Sequence, residues 1–373
     1  MTISRHMSAT PQTASTSRDR SQPVRADVQA RRLSVAELSP ASFGIVMATG
    51  IVSIGAHLLR VPLVARGLFG VNLLVFAVLS VLTALRLVRY PSRFFADMFD
   101  HRRGPGYFTT VAGVAILGSQ SLLIGGQERP AIALFAVAGV LWLLLTYTIF
   151  AAFTIKHDKP TLEEGIGGAW LLAVVATQSL AVLAALLAAR RGAPLRLPLN
   201  FFALSMWLWG GMLYIWTMAL IFYRYTFFRL RPSDLTPPYW INMGAMAIST
   251  LAGALLVVDA PGAPLLDALR PFLKGFTLFY WASGTWWIPL LLVLGAWRYL
   301  YARFPLRYDA QYWSVVFPLG MYAVATHEMS QALAIEFLAP LPIFFLYAAI
   351  AAWVVVATGL GAALVQAARS NDR

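Results

Sequence analysis

The stretch 41–88, ASFGIVMATGIVSIGAHLLRVPLVARGLFGVNLLVFAVLSVLTALRLV, holds two apolar runs of different character. The first, 41–59, is rich in Gly, Ala, Ser and Thr; the second, 68–88, is dominated by Leu, Val and Phe. A helix needs about 20 apolar residues to cross the hydrocarbon core of a bilayer, so each run is long enough for one crossing. Small side chains let helix backbones approach closely, whereas bulky aliphatic ones suit a face turned to lipid. The pair therefore reads as a helical hairpin with one inner and one outer arm.

The same alternation continues to the end of the chain. Further apolar runs fall at 107–125, 130–153, 169–188, 199–223, 238–258, 275–297, 309–326 and 341–366. The odd-numbered runs start near residues 41, 107, 169, 238 and 309, at intervals of 62 to 71 residues, and each start carries an aromatic residue: Phe43, Phe108, Trp170, Trp240 and Trp313. A fixed period of this kind marks an internal repeat. The expected fold is an all-α integral membrane protein of ten transmembrane helices, arranged as five helical hairpins, with odd helices inside around a central pore and even helices outside. Composition alone fits a solid bundle equally well, because small residues also serve tight helix packing.

Of the 373 residues, 59% are hydrophobic and 12% charged, about half the charge of an average soluble domain. The net charge of +13 is not a nucleic-acid signal, because the basic residues sit between apolar runs. With the amino tail placed inside, 21 of the 29 Lys and Arg residues fall in inside segments, as the positive-inside rule requires. This predicts an even number of spans and both termini cytoplasmic, in the cell (inner) membrane. Residues 1–38 are rich in Ser, Thr and Arg with no apolar run, and are expected to form a disordered basic cytoplasmic tail. Residues 39–367 make the transport domain and 368–373 a short cytoplasmic tail. The chain has no cysteine, which excludes disulfides and thiolate metal sites. No cofactor is expected.

Four residues beyond each aromatic start lie Met47, Ala112, Val174, Gly244 and Phe317. If the repeats are in register, these share one depth and Phe317 is the single large ring among them. Pro318 follows it; a proline inside a helix removes a donor to the carbonyl four residues back, here Ser314. Phe317 and Pro318 are thus either an inward-facing site or a packing ring beside a helix irregularity. Thr49, Thr177 and Asn242 are the polar candidates for lining a path, although each has the chemistry to bond a neighbouring helix instead.

Five segments together resemble the tellurite-resistance/dicarboxylate transporter family: 43–53 (FGIVMATGIVS), 118–121 (GSQS), 170–181 (WLLAVVATQSLA), 284–289 (GTWWIP) and 313–320 (WSVVFPLG). That family includes bacterial tellurite-resistance proteins, plant slow-type anion channels, sulfite efflux pumps and malate permeases. The resemblance covers roughly residues 38–366. It implies ten helices around one pore per subunit, a homotrimer, small anions as substrates (malate, sulfite, chloride or nitrate), and a phenylalanine on the ninth helix that occludes the path, matched here by Phe317. The sequence departs from the family pattern at the fifth helix, where Ala169 or Ala173 stands in place of the usual prolines.

The alternative, an integral membrane enzyme acting on a lipid-like substrate, needs clustered catalytic groups at one interface. Only Asp97, Asp100 and His101 (in DMFDH) and the pair His327-Glu328 come near this, and neither forms a recognised constellation. His327 is followed four residues on by Gln331 rather than a second His, so no helical zinc motif exists there. The expected place of His327-Glu328 is the surface at the end of the ninth span, with a proton-linked role as the alternative.

Overall fold

The computed structural model describes residues 34–306 and 308–371. Among them every regular element is helical. The long helices are α1 (Gly44–Leu58), α2 (Pro62–Arg89), α3 (Phe108–Leu123), α4 (Glu128–Ile155), α5 (Leu172–Ala188), α6 (Ala193–Phe227), α7 (Ile241–Asp259), α8 (Arg270–Ala296), α9 (Trp313–Leu333) and α10 (Pro340–Asn371). Among the described residues, nine helical segments are long and apolar enough to cross a membrane. Helix α9 does not reach that hydropathy, because His327 and Glu328 interrupt its apolar run. The chain is an all-α integral membrane protein.

Odd and even helices differ in burial as their composition demands. Helices α1, α3, α5 and α7 are buried along most of their length, while α2, α4, α8 and α10 expose most of theirs. The exposed residues include Leu63, Val88, Leu144, Val293 and Val355, a surface matched to hydrocarbon rather than water. The inner helices close a ring: α1 packs on α3, α3 on α5, α5 on α7, α7 on α9, and α9 back on α1. Each outer helix packs on its hairpin partner and also touches the next inner helix.

A single 3-10 turn leads into every inner helix: Pro40–Phe43, Gly104–Tyr107, Gly168–Leu171, Pro237–Trp240 and Ala310–Tyr312. Four of the five contain proline or glycine at the entry, which ends the preceding connection and sets the backbone for the helix. The recurrence of this turn shows the five-fold repeat independently of the aromatic residues. Where Gly168 meets the backbone of Pro238, an added Cβ would stand 2.5 Å from its carbonyl carbon, so only glycine fits this junction between two successive turns.

Hydrogen bonds from outer to inner helices follow the same circular order. Trp142 of α4 donates to Thr177 of α5 (2.8 Å), Trp207 of α6 to the Ser249 carbonyl of α7 (2.8 Å), Trp281 of α8 to Thr326 of α9 (3.0 Å), and Trp353 of α10 to Thr49 of α1 (3.0 Å). On α2 the place is taken by Asn72, which donates to Gln120 of α3 at 2.6 Å. A buried indole N–H requires an acceptor where water is absent. Such bonds contribute about 1 kcal/mol each within a bilayer. Replacing Trp353 by Phe is expected to lower stability by about that amount, leaving transport intact. The check is the thermal midpoint of detergent-solubilised protein.

The helix boundaries extend several of the expected spans. Helix α6 begins at Ala193 rather than 199, because Arg196 and Asn200 find a partner: both donate to the carboxylate of Asp259 at the end of α7, Asn200 at 2.5 Å. Asp259 is buried. Asp259→Ala should cost about 2–3 kcal/mol, since it strands a buried amide and a guanidinium; the same thermal measurement reads this out. Helix α9 continues past 326 to Leu333 and ends where Ala334 takes a left-handed conformation (φ 56).

Residues 34–38, assigned to the tail on composition, form a turn capped by Ser34; Ala36 is buried and accepts from Arg86, and Glu37 pairs with Arg93. The rest of the expected disordered tail, residues 1–33, lies outside the described residues. At the other end α10 runs through 368–371.

Candidate functional site

Within the ring of inner helices lies a cavity of about 160 Å³. Every inner helix contributes three residues to it, always at positions i, i+3 and i+7, starting from Ile51, Ile116, Ser179, Ile248 and Met321. That spacing is one face of an α-helix over two turns, so the cavity runs along the ring axis with quasi-five-fold walls. The walls are almost wholly apolar. Ser119, Ser179 and Glu328 are the polar exceptions, and Glu328 is the one ionisable residue among those lining the cavity.

One helical turn back from the starting positions, toward the amino ends of the inner helices, are Met47, Ala112, Val175, Gly244 and Phe317. All five are buried, and the cavity does not include them. Phe317 lies directly against α7: a Cβ added at Gly244 would stand 3.2 Å from its ring and 2.9 Å from Pro318. Glycine at 244 is what leaves room for the ring. The same step on α5 gives Val175, whereas counting from Trp170 points to Val174. A one-residue slip turns a side chain by about 100° around the helix, so Val175 shares the face of Met47, Ala112, Gly244 and Phe317, and Val174 does not.

The three polar residues expected on the path face elsewhere. Thr49 and Thr177 accept from the outer tryptophans Trp353 and Trp142, and Asn242 accepts from Tyr214 of α6 at 2.7 Å. Their polarity braces inner helices against outer ones, the use left open by the sequence. Gln178 likewise donates to the Trp207 carbonyl at 3.0 Å. Glu328 moves in the opposite direction. Expected at the surface, it sits inside a continuous helix and lines the cavity. The signal for this was the seven-residue spacing from Met321, legible only after the register of the repeats was known.

The basic clusters at the amino-end face hold connections together. Arg86 is buried, ion-paired with Asp97, and bonded to the Ala36 carbonyl. Arg103 also pairs with Asp97, at 2.8 Å. Arg102 donates to the Glu164 carbonyl (2.6 Å), and Arg224 to the Glu163 carbonyl (2.8 Å) and the Tyr239 hydroxyl (3.1 Å). The three residues of DMFDH separate in the same way: Asp97 serves the arginines, Asp100 accepts from the backbone of 102 and 103, and His101 stacks on Phe153 at 4.2 Å. Burial, then the charges of Lys156, push the His101 imidazole below its ordinary pKa, with Asp100 opposing. No catalytic constellation results.

The sequence matches the family model described as voltage-dependent anion channel over residues 37–360. An uncharacterized membrane protein of Mycobacterium tuberculosis strain H37Rv is 40% identical over 143 residues, 38% of this chain and 72% of the relative. Two uncharacterized transporters of Methanocaldococcus jannaschii are 25% and 26% identical over 296 and 294 residues, covering 77% and 76% of this chain and 82% of each relative. The match spans all five hairpins, the buried ring and the cavity at its centre. The chain belongs to the voltage-dependent anion channel family and is a membrane transporter of anions, not an enzyme.

Proposed function

We propose that small anions cross this protein along the axis of the inner-helix ring, and that Phe317 closes that path. The observation carrying this reading is the axial cavity, to which all five inner helices contribute the same helical face and which stops at the layer holding Phe317. In this reading all ten long helices cross the bilayer, with both termini cytoplasmic. Helix α9, the least apolar, is shielded by its neighbours and needs no lipid-facing surface. A lone charge at mid-bilayer is costly, and the described lining of the cavity carries no cation. An anion is therefore drawn by neutral dipoles and by the positive potential of the cytoplasmic mouth rather than bound by a fixed charge.

The substrate is a small anion, either a C4-dicarboxylate such as malate or an inorganic anion such as sulfite, chloride or nitrate. The subunit assembles as a homotrimer with one path each, as the family resemblance implies. Proteoliposomes containing purified protein should take up at least one of these four anions faster than empty vesicles, with and without an imposed pH gradient. Uptake that ignores the gradient identifies a passive channel, and uptake that follows it a proton-linked carrier. No uptake of any of the four contradicts the proposal.

A further inference from the structure

Glu328 is the one ionisable side chain on the wall of the axial cavity, and its carboxyl group has no hydrogen bond or ion pair among the described residues. The other titratable groups near this end of the ring are placed differently. His327 precedes it on α9 without lining the cavity. His57 of α1 is exposed, and so is Glu336 in the turn after α9. Asp259 of α7 is held by Arg196 and Asn200, and Arg270 and Lys274 lie in the first turns of α8. None of these lines the cavity.

The two serines on the wall do not supply donors either. Ser119 donates its hydroxyl hydrogen to the Ala115 carbonyl (3.1 Å) and Ser179 to the Val175 carbonyl (2.7 Å). Both hydroxyl hydrogens are therefore committed to the backbone, and what each hydroxyl still has to offer is lone pairs, which repel an anion. A carboxyl group is different in its two states: neutral, it offers one O–H donor; ionised, it is acceptor-only and negative. An ionised Glu328 in an apolar cavity without a cation opposes the entry of any anion through unscreened repulsion.

Resting on the proposed anion path, we infer that protonated Glu328 is the hydrogen-bond donor that admits an anion to the cavity, and that the admitted species is a small, weakly hydrated monoanion. The proton comes from the solution at the carboxyl-end face of the inner helices. It stays on Glu328 while the anion accepts its hydrogen bond. No covalent step is involved. The apolar walls favour a monoanion, because a dianion loses far more hydration on entering them.

The test is nitrate current across planar bilayers. Wild type, Phe317→Ala, Phe317→Ala with Glu328→Gln, and Phe317→Ala with His327→Gln are compared from about pH 8 to about pH 5, a range above the ordinary carboxyl pKa of about 4.3. Current in the Phe317→Ala protein should rise about tenfold or more as the carboxyl-end side is acidified. Glutamine, neutral and a donor at every pH, should hold the current near its acid level throughout. The His327→Gln protein should keep the profile of its parent. A Glu328→Gln protein that retains the parent pH profile, or loss of that profile in His327→Gln, overturns the inference while leaving the anion path standing. No nitrate current from wild type or Phe317→Ala at any pH overturns this inference, and the path itself falls with it only if chloride, sulfite and malate carry no current either. Gel filtration of each variant establishes that it is folded, and a Glu328→Asp protein, expected to keep a pH-dependent current, serves if the glutamine variant is not.

Discussion

Phe317→Ala is expected to raise anion conductance at least about tenfold. The ring is only 1% exposed and sits at the layer where the axial cavity ends. Its neighbours at that depth include Ala112 and Gly244, residues too small to close a path without it. On the proposed path, removing the ring opens the cavity toward the amino-end face of the inner helices. Truncating a buried Phe costs about 3–5 kcal/mol in a well-packed core, so the variant should also melt earlier. Leucine at 317 fills most of the volume and should give an intermediate conductance. The measurement is single-channel or macroscopic current in reconstituted bilayers. Unchanged current in a correctly assembled alanine variant would mean that Phe317 is a packing residue and that the closure lies elsewhere.

Gly253→Leu is expected to abolish assembly of the helix ring. Gly253 faces outward from α7 into the junction with α6 and α8. An added Cβ would stand 2.9 Å from the Trp207 indole and closer still to the Thr277 hydroxyl. Trp207 has no freedom to withdraw. Its N–H is committed to the Ser249 carbonyl, and its ring meets Phe276 and Tyr280 edge-on, with centroids 5.8 and 5.5 Å away. Overpacking a rigid site costs about 1–3 kcal/mol for added methylenes, and here four carbon atoms arrive where one already collides. The predicted result is little or no folded protein in the membrane fraction and aggregation on solubilisation, with Gly253→Ala intermediate. A leucine variant with the wild-type thermal midpoint would show that α6, α7 and α8 do not meet as described.

Much of this architecture could be read from composition and period. The contrast between GIVMATG and LLVFAVL already separates an inner from an outer helix, because lipid and a neighbouring backbone ask for different side chains. The spacing of Phe43, Phe108, Trp170, Trp240 and Trp313 predicts the repeat, and the structure adds the 3-10 turn at each start. Four things were not legible, for definable reasons. Helix ends were misplaced where a polar residue has a partner far away in sequence, as Asn200 has in Asp259. The facing of Thr49, Thr177 and Asn242 depended on tryptophans and a tyrosine on other helices, and a single helix cannot reveal which side its neighbours occupy. The choice between Val174 and Val175 turned on one residue of register, a rotation that aromatic markers a whole turn away do not resolve. Glu328 escaped for a related reason: an acidic residue near the end of an apolar run looks like a helix end, and only the seven-residue spacing shared with the other four inner helices brings it to the cavity.

The absence of cysteine from the chain makes the central claim directly measurable. Single cysteines at Ser179, on the cavity wall, and at Thr49, turned to the outer helix α10, would be introduced into the Phe317→Ala protein. A small anionic thiol reagent would then be applied while nitrate current is recorded. If anions travel along the ring axis, the reagent blocks the current through the Ser179→Cys protein and leaves that through Thr49→Cys unchanged. Full current through a labelled Ser179→Cys protein would contradict an axial path.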